Sequence, residues 1–189
     1  MKNMVIMDSN EDEQQIGIMS SSSSIVLTDG IYYNASTGKY LFRGNWNWIN
    51  DTWDAWAGPE DIAAVRFIER PSRIEMSMGA TFNQNGVETN NISKRHEEAN
   101  GVAYNVIDKL GKYPNSTPFY YTDNGYIIVG FTDNTYNKIF LDFEHNYKAT
   151  SFSASITITG LDIREWGLHV SYSGSIQKWR RTSPGEIIN

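Results

Sequence analysis

From Ile25 onward the chain is a succession of short stretches in which apolar and polar residues take turns. In 73–80, Ile74, Met76, Met78 and Ala80 alternate with Arg73, Glu75, Ser77 and Gly79. Successive side chains of a strand point to opposite faces, so a period of two predicts a half-buried β-strand. The alternation is cleanest in 148–159, where Phe152, Ala154, Ile156 and Ile158 oppose Ser151, Ser153, Ser155, Thr157 and Thr159. In 168–177, Leu168, Val170, Tyr172 and Ile176 oppose His169, Ser171, Ser173, Ser175 and Gln177. Ile139, Leu141 and Phe143 likewise oppose Phe140, Asp142 and Glu144. If 39–48 is also a strand, Tyr40, Phe42, Trp46 and Trp48 share one face.

Turn signals separate these stretches: Thr28-Asp29-Gly30, Asn83 to Gly86, Asp123-Asn124-Gly125 and Thr132-Asp133-Asn134. Asn-Gly favours hairpin turns because both central residues tolerate positive φ. Spacings of about 8–12 residues between turns predict an all-β fold, an antiparallel β-sandwich or flattened barrel. One stretch departs from the pattern. Between Ala99 and Leu110, Val102, Val106 and Leu110 recur every fourth residue, with Ala103 and Ile107 beside them and Gly111 and Pro114 as stops. That spacing predicts one short helix over 99–110.

The 189 residues suit one domain. Residues 1–24, with the run Ser20 to Ser24, are expected to be a flexible N-terminal segment; 25–181 form the domain; 182–189, with Pro184-Gly185, form a C-terminal tail. No apolar run approaches the roughly 18 residues of a transmembrane helix, and the start of the chain does not read as a secretory signal. Sixteen Lys+Arg against 22 Asp+Glu give a net charge of −6, which argues against nucleic acid as a partner. With 0 Cys, disulfides, thiolate metal sites and a thiol nucleophile are excluded.

Aromatic residues carry the first functional candidates. Trp53 and Trp56 fall in 50–59, a polar stretch with Asp51 and Asp54 that reads as a loop. Loop aromatics could stack on a sugar ring while the carboxylates take its hydroxyls. Trp46 and Trp48 extend this candidate site if their strand face is exposed, and are core residues if it is not. Asp51, Asp54, Glu60 and Asp61 do not have the spacing of an EF-hand loop, so no metal is expected there, and no motif calls for a cofactor.

Catalytic readings are thinner. His96-Glu97-Glu98-Ala99-Asn100 begins like a zinc-protease motif but has Asn100 where the second imidazole belongs. His145 continues the face of Ile139, Leu141 and Phe143 and reads as a hydrogen-bonded core histidine, whereas His169 falls among serines on a polar face. Glu69, Glu75, Asp142 and Glu144 lie in strand-like contexts and read as solvent-side residues rather than a catalytic pair. The balance leans away from an enzyme, with a hydrolase of unrecognised site as the alternative.

The Ser/Thr alternation admits another alternative. Membrane-inserting β-hairpins set small apolar residues toward lipid and Ser/Thr toward a lumen. The stretch 148–177 could be such a hairpin, and then its two strands should be adjacent and antiparallel.

Gly44-Asn45-Trp46-Asn47-Trp48, followed by Glu60-Asp61-Ile62-Ala63-Ala64-Val65-Arg66-Phe67, resembles a pattern in uncharacterised small extracellular proteins of Gram-positive bacteria. Phe143-Glu144-His145-Asn146-Tyr147 and the closing Ser171-Tyr172-Ser173 with Trp179 extend the resemblance. It implies secretion and an all-β fold, with a cytoplasmic location as the alternative. The function expected from the sequence is therefore an extracellular recognition module for a glycan or cell-surface ligand, with Trp53, Trp56, Asp51, Asp54, Trp46 and Trp48 as candidates. No oligomeric state is implied.

Overall fold

The structure is a computed structural model describing residues 5–6, 25–49, 60–107, 110–112, 119–120, 122–132, 137–149, 154–158, 168–172 and 176–188. Its strands are β1 (Val5–Ile6), β2 (Ile25–Asn34), β3 (Lys39–Trp48), β4 (Asp61–Phe67), β5 (Arg73–Phe82), β6 (Ile92–Glu98), β7 (Gly101–Val106) and β8 (Leu110–Lys112). There follow β9 (Phe119–Tyr120), β10 (Asn124–Thr132), β11 (Asn137–Ala149), β12 (Ala154–Ile158), β13 (Leu168–Tyr172), β14 (Ile176–Thr182) and β15 (Glu186–Ile188). A smaller sheet runs β2-β3-β10-β5 and a larger one β14-β11-β4-β7-β6, with β15 also on β11. Every paired strand is antiparallel.

The two sheets pack face to face as a sandwich, and the barrel alternative is set aside because the sheets stay separate. The core is the pair of inner faces. From the smaller sheet come Ile25, Leu27, Phe42, Trp46, Trp48, Ile127, Val129 and Phe131; from the larger, Ala63, Val65, Phe67, Val102, Tyr104, Ile139, Leu141 and Phe143. Rings interlock across the interface: Trp46 lies 5.6 Å from Phe143, and Phe67 4.8 Å edge-on from Phe131. Burying a large apolar side chain contributes about 1.5–3 kcal/mol, so these faces dominate the stability of the fold.

Three expectations are corrected. The helix over 99–110 is absent: Ala99 and Asn100 form a turn and 101–106 is the strand β7, paired with β4 and β6. Val102 and Val106 are four residues apart, but Tyr104 between them also faces the core and is 4% exposed, so the true period is two. Second, Asp29-Gly30 is not a turn but lies within β2, paired with Gly44 and Arg43. Third, the C-terminal residues do not leave the domain. Ser183 exchanges hydrogen bonds with Leu141, its N–H donating at 2.8 Å and its Oγ accepting at 2.9 Å. Glu186–Ile188 then pairs with β11, and Ile188 enters the core. Of residues 1–24, only Val5–Ile6 is described, and it pairs with Lys112 and Gly111.

Candidate functional site

The residues singled out for ligand binding divide sharply. Trp46 and Trp48 are 1% and 4% exposed. Their rings pack on Phe143, and Trp48 also meets His145 and Trp179 edge-on at 5.0 and 5.6 Å, so neither offers a face to a ligand. This corrects the reading of Trp46 and Trp48 as a binding platform: they are the largest residues on a face that the opposing sheet covers. Trp53, Trp56, Asp51 and Asp54 lie outside the described residues.

The carboxylates are also not where the sequence put them. Asp142 and Glu144 are fully buried, on the outer face of the larger sheet. Arg66 Nε donates to Asp142 Oδ2 at 2.7 Å, and Thr182 Oγ1 donates to its other oxygen at 2.8 Å. Glu144 is held by Arg180 and by Lys178, whose Nζ lies 3.3 Å from Oε2. Burial pushes the Lys178 ammonium below its ordinary value, against the attraction of Glu144. Asp61 is buried as well. Its two oxygens lie 2.9 Å from His145 Nδ1, and it accepts the Asn146 N–H at 2.9 Å. His145 is thus the hydrogen-bonded core histidine that its face implied. These groups tie β4, β11 and β14 together. Asp61, Arg66, Asp142, Glu144 and His145 are closed to solvent, which suits them to structure, while the Lys178 and Arg180 side chains stay 29% and 28% exposed. His96 pairs with Glu98 at 2.6 Å on β6, and no cluster of three metal-ligating side chains occurs among the described residues.

The 148–177 segment is where sequence and geometry meet. The expected single strand over 168–177 is two: β13 and β14. β11 pairs with β14 up to Ala149↔Ile176, and β12 then pairs with β13 from Ala154↔Tyr172 to Ile158↔Leu168. Five residues forward on one arm correspond to four back on the other, so the ladder resumes with its offset changed by one. The chain leads out through β11 and β12 and back through β13 and β14, so the two antiparallel ladders follow one another along a hairpin-like excursion. Its base is built into the larger sheet; its distal ladder is a separate two-stranded sheet.

The register of that distal ladder sorts residues by polarity. Ala154, Ile156 and Ile158 pair with Tyr172, Val170 and Leu168; Ser155 and Thr157 pair with Ser171 and His169. Directly paired residues share a face of a sheet, and successive residues do not. One face of the ribbon is therefore apolar on both strands and the other polar on both strands. The sequence predicted adjacent, antiparallel strands here, and they are found. A two-stranded ribbon is marginal in water by itself, and β12 lies alongside β6 and β7.

No family model matches the chain, and no curated protein matches it. A solved structure described as a "Pore forming protein" is similar at 8% sequence identity and a TM-score of 0.30, over 84% of this chain and 90% of that chain. Likeness at this level does not extend that description to the present chain.

Proposed function

We propose that the protein acts on membranes through the distal β12–β13 ladder of this hairpin-like excursion. The supporting observation is the register of β12 and β13, which pairs apolar with apolar and polar with polar residues along the whole ribbon. A bilayer requires every backbone N–H and C=O to be paired, so a strand ribbon enters lipid only as part of a closed barrel. Such a barrel alternates apolar residues toward lipid with polar residues toward a lumen, and its strands need about 9–11 residues. The sequence alternation over 151–159 and 168–177 approaches that length on each arm. One chain contributes too few strands to close a barrel, so several copies would assemble. The resemblance to small extracellular proteins favours action from outside a cell.

Dye release from phosphatidylcholine–cholesterol vesicles tests this with the full chain. Ile156→Lys places a charge on the lipid face, which costs about 2–4 kcal/mol per strand at the bilayer midplane and should abolish release. Thr157→Lys places the same charge on the lumen face and should preserve release. Equal release by both variants, each folded by near-ultraviolet dichroism, would refute the proposal; so would intact vesicles with the parent protein.

A further inference from the structure

Away from the hairpin, the outer face of the smaller sheet carries a cleft. Register aligns Tyr32, Leu41, Gly130 and Met76 side by side across β2, β3, β10 and β5. Gly130 leaves a gap in that row, and Met76 leans over it: a Cβ at Gly130 would lie 2.7 Å from Met76 Cγ. Tyr32 lies back along its own strand, its ring within 3.8 Å of where a Cβ at Gly30 would be. At one end Lys39 Nζ donates to Glu75 Oε2 at 2.6 Å. Asn34 and Thr37 complete the rim, and the cleft measures about 510 Å³. Tyr32 and Met76 are 61% and 45% exposed. Tyr33, Tyr40 and Phe131, next along the same strands, alternate to the core side, where Tyr40 stacks on Phe131 at 5.5 Å and Tyr33 meets Tyr40 at 4.7 Å; they stiffen the strands beneath the cleft, and Tyr32 is its aromatic surface.

We propose that this cleft binds a neutral sugar ring. Its volume is within the usual range for small ligands, and it offers an apolar trough with a few polar groups fixed at one end. A pyranose matches that division. Its C–H face covers aromatic and thioether surface, and a pair of ring hydroxyls can accept from Lys39 and donate to Glu75 without breaking their ion pair. A charged ligand would have to compete with one member of that pair, and a purely apolar one would strip water from both.

The test uses the full chain with ¹³C-methyl methionine and ¹⁵N labels, titrated separately with methyl glucoside, methyl galactoside and methyl N-acetylglucosaminide at millimolar concentrations. At least one should shift the Met76 methyl and the Leu41 and Gly130 amides saturably, leaving the Trp46 amide in place. Gly130→Val fills the trough and Tyr32→Ala removes one wall; each should weaken that binding about tenfold or more. No saturable shift with any of the three glycosides would overturn the proposal. So would shifts that both variants leave unchanged, or shifts that follow protein concentration alone, which would make this face a contact between copies. Neither cleft variant should alter dye release from receptor-free vesicles, so failure here and failure of the membrane reading are separable.

Discussion

The two sheets share one core but differ in what covers their outer faces. On the larger sheet Ile62, Ala64, Arg66, Phe140, Asp142 and Glu144 point away from the core and are all at most 1% exposed. On the smaller sheet the outward row includes Tyr32, Met76 and Met78, between 45% and 61% exposed. The sealed face buries charged groups beside Ile62, Ala64 and Phe140, and the open face exposes apolar groups beside Lys39, Arg43 and Glu75, so neither face follows the ordinary partition. The charges tolerate burial because each is paired: Arg66 with Asp142, Glu144 with Arg180 and Lys178. On the open face Tyr126 is covered by Arg43, whose guanidinium lies 4.5 Å over its ring, whereas Tyr32, Met76 and Met78 stay exposed. Polarity along a strand therefore identifies its two faces, but not which of them meets water.

The largest effect should come from the sealed face. Asp142→Ala leaves the Arg66 guanidinium buried without its carboxylate and removes the acceptor for Thr182. Truncating one partner of a buried ion pair costs about 3–5 kcal/mol. The double variant Arg66→Met/Asp142→Ala should recover most of that loss, since an apolar replacement of both members leaves no stranded charge. Urea unfolding measures both. A loss below about 1 kcal/mol for the single variant would mean that water reaches this face, and the contrast between the sheets would fail.

Much of this was legible in the chain, and the failures have physical causes. Strands β3, β5, β11 and β12 follow from alternation alone, because one inner face needs apolar residues at every second position. The turn at 83–86 was also legible: Gly86 has φ +72, and its N–H donates to the Asn83 carbonyl at 2.8 Å. The turn closing β2 and β3 was missed, although Asn34 and Gly38 carry its signal, Gly38 at φ +66 and Asn34 accepting the Ser36 N–H at 3.0 Å. The Asp29-Gly30 pair upstream carries the stronger local turn signal, and long-range pairing with Gly44 and Arg43 overrides it. β7 has helical spacing because a strand buried on both faces loses its polar phase. Asp142 and Glu144 read as solvent-side for the matching reason: alternation shows only that they oppose the core. The ribbon's polarity was visible in each strand separately. Its significance depends on register, which is a property of the fold.

The two faces of the smaller sheet offer a second comparison, at two glycines of one strand. Gly125 looks inward: a Cβ there would lie 2.3 Å from the Trp46 ring and 2.7 Å from the Ala80 carbonyl oxygen. Backbone cannot yield as a side chain can, so Gly125→Ala should destabilise by about 1–3 kcal/mol. Gly130 looks outward and meets only the flexible Met76 at short range. Met76 can swing aside, and alanine restricts the unfolded chain, so Gly130→Ala should fall within about 1 kcal/mol of the parent. Thermal melts of the two variants decide the matter. Equal losses would show that the outer face is as tightly covered as the inner one.

The smallest expected effect sharpens the comparison between the two ion pairs. Lys39–Glu75 has the same chemistry as Arg66–Asp142 but lies on the open face, with side-chain exposures of 49% and 21% against 2% and 0%. The Lys39 hydrogen bond, with smaller help from the charges of Lys39 and Arg73, holds the Glu75 carboxyl below its ordinary value of 4.5. A carboxylate whose folded value is depressed adds stability above its unfolded value and loses that contribution as the pH falls through the folded one. Lys39→Met removes both the donor that dominates the shift and its charge, so Glu75 should titrate closer to 4.5. The measurement is a carboxyl-carbon NMR titration of Glu75 in parent and variant, with thermal melts at neutral pH beside it. The midpoint should rise while the melting temperature scarcely moves, because water already solvates both groups on this face. An unchanged midpoint would show that the pair does not form in solution, leaving the cleft without the donor–acceptor end that suits it to a sugar. A large fall in melting temperature would place the pair in a buried setting, and the two faces would no longer differ in kind.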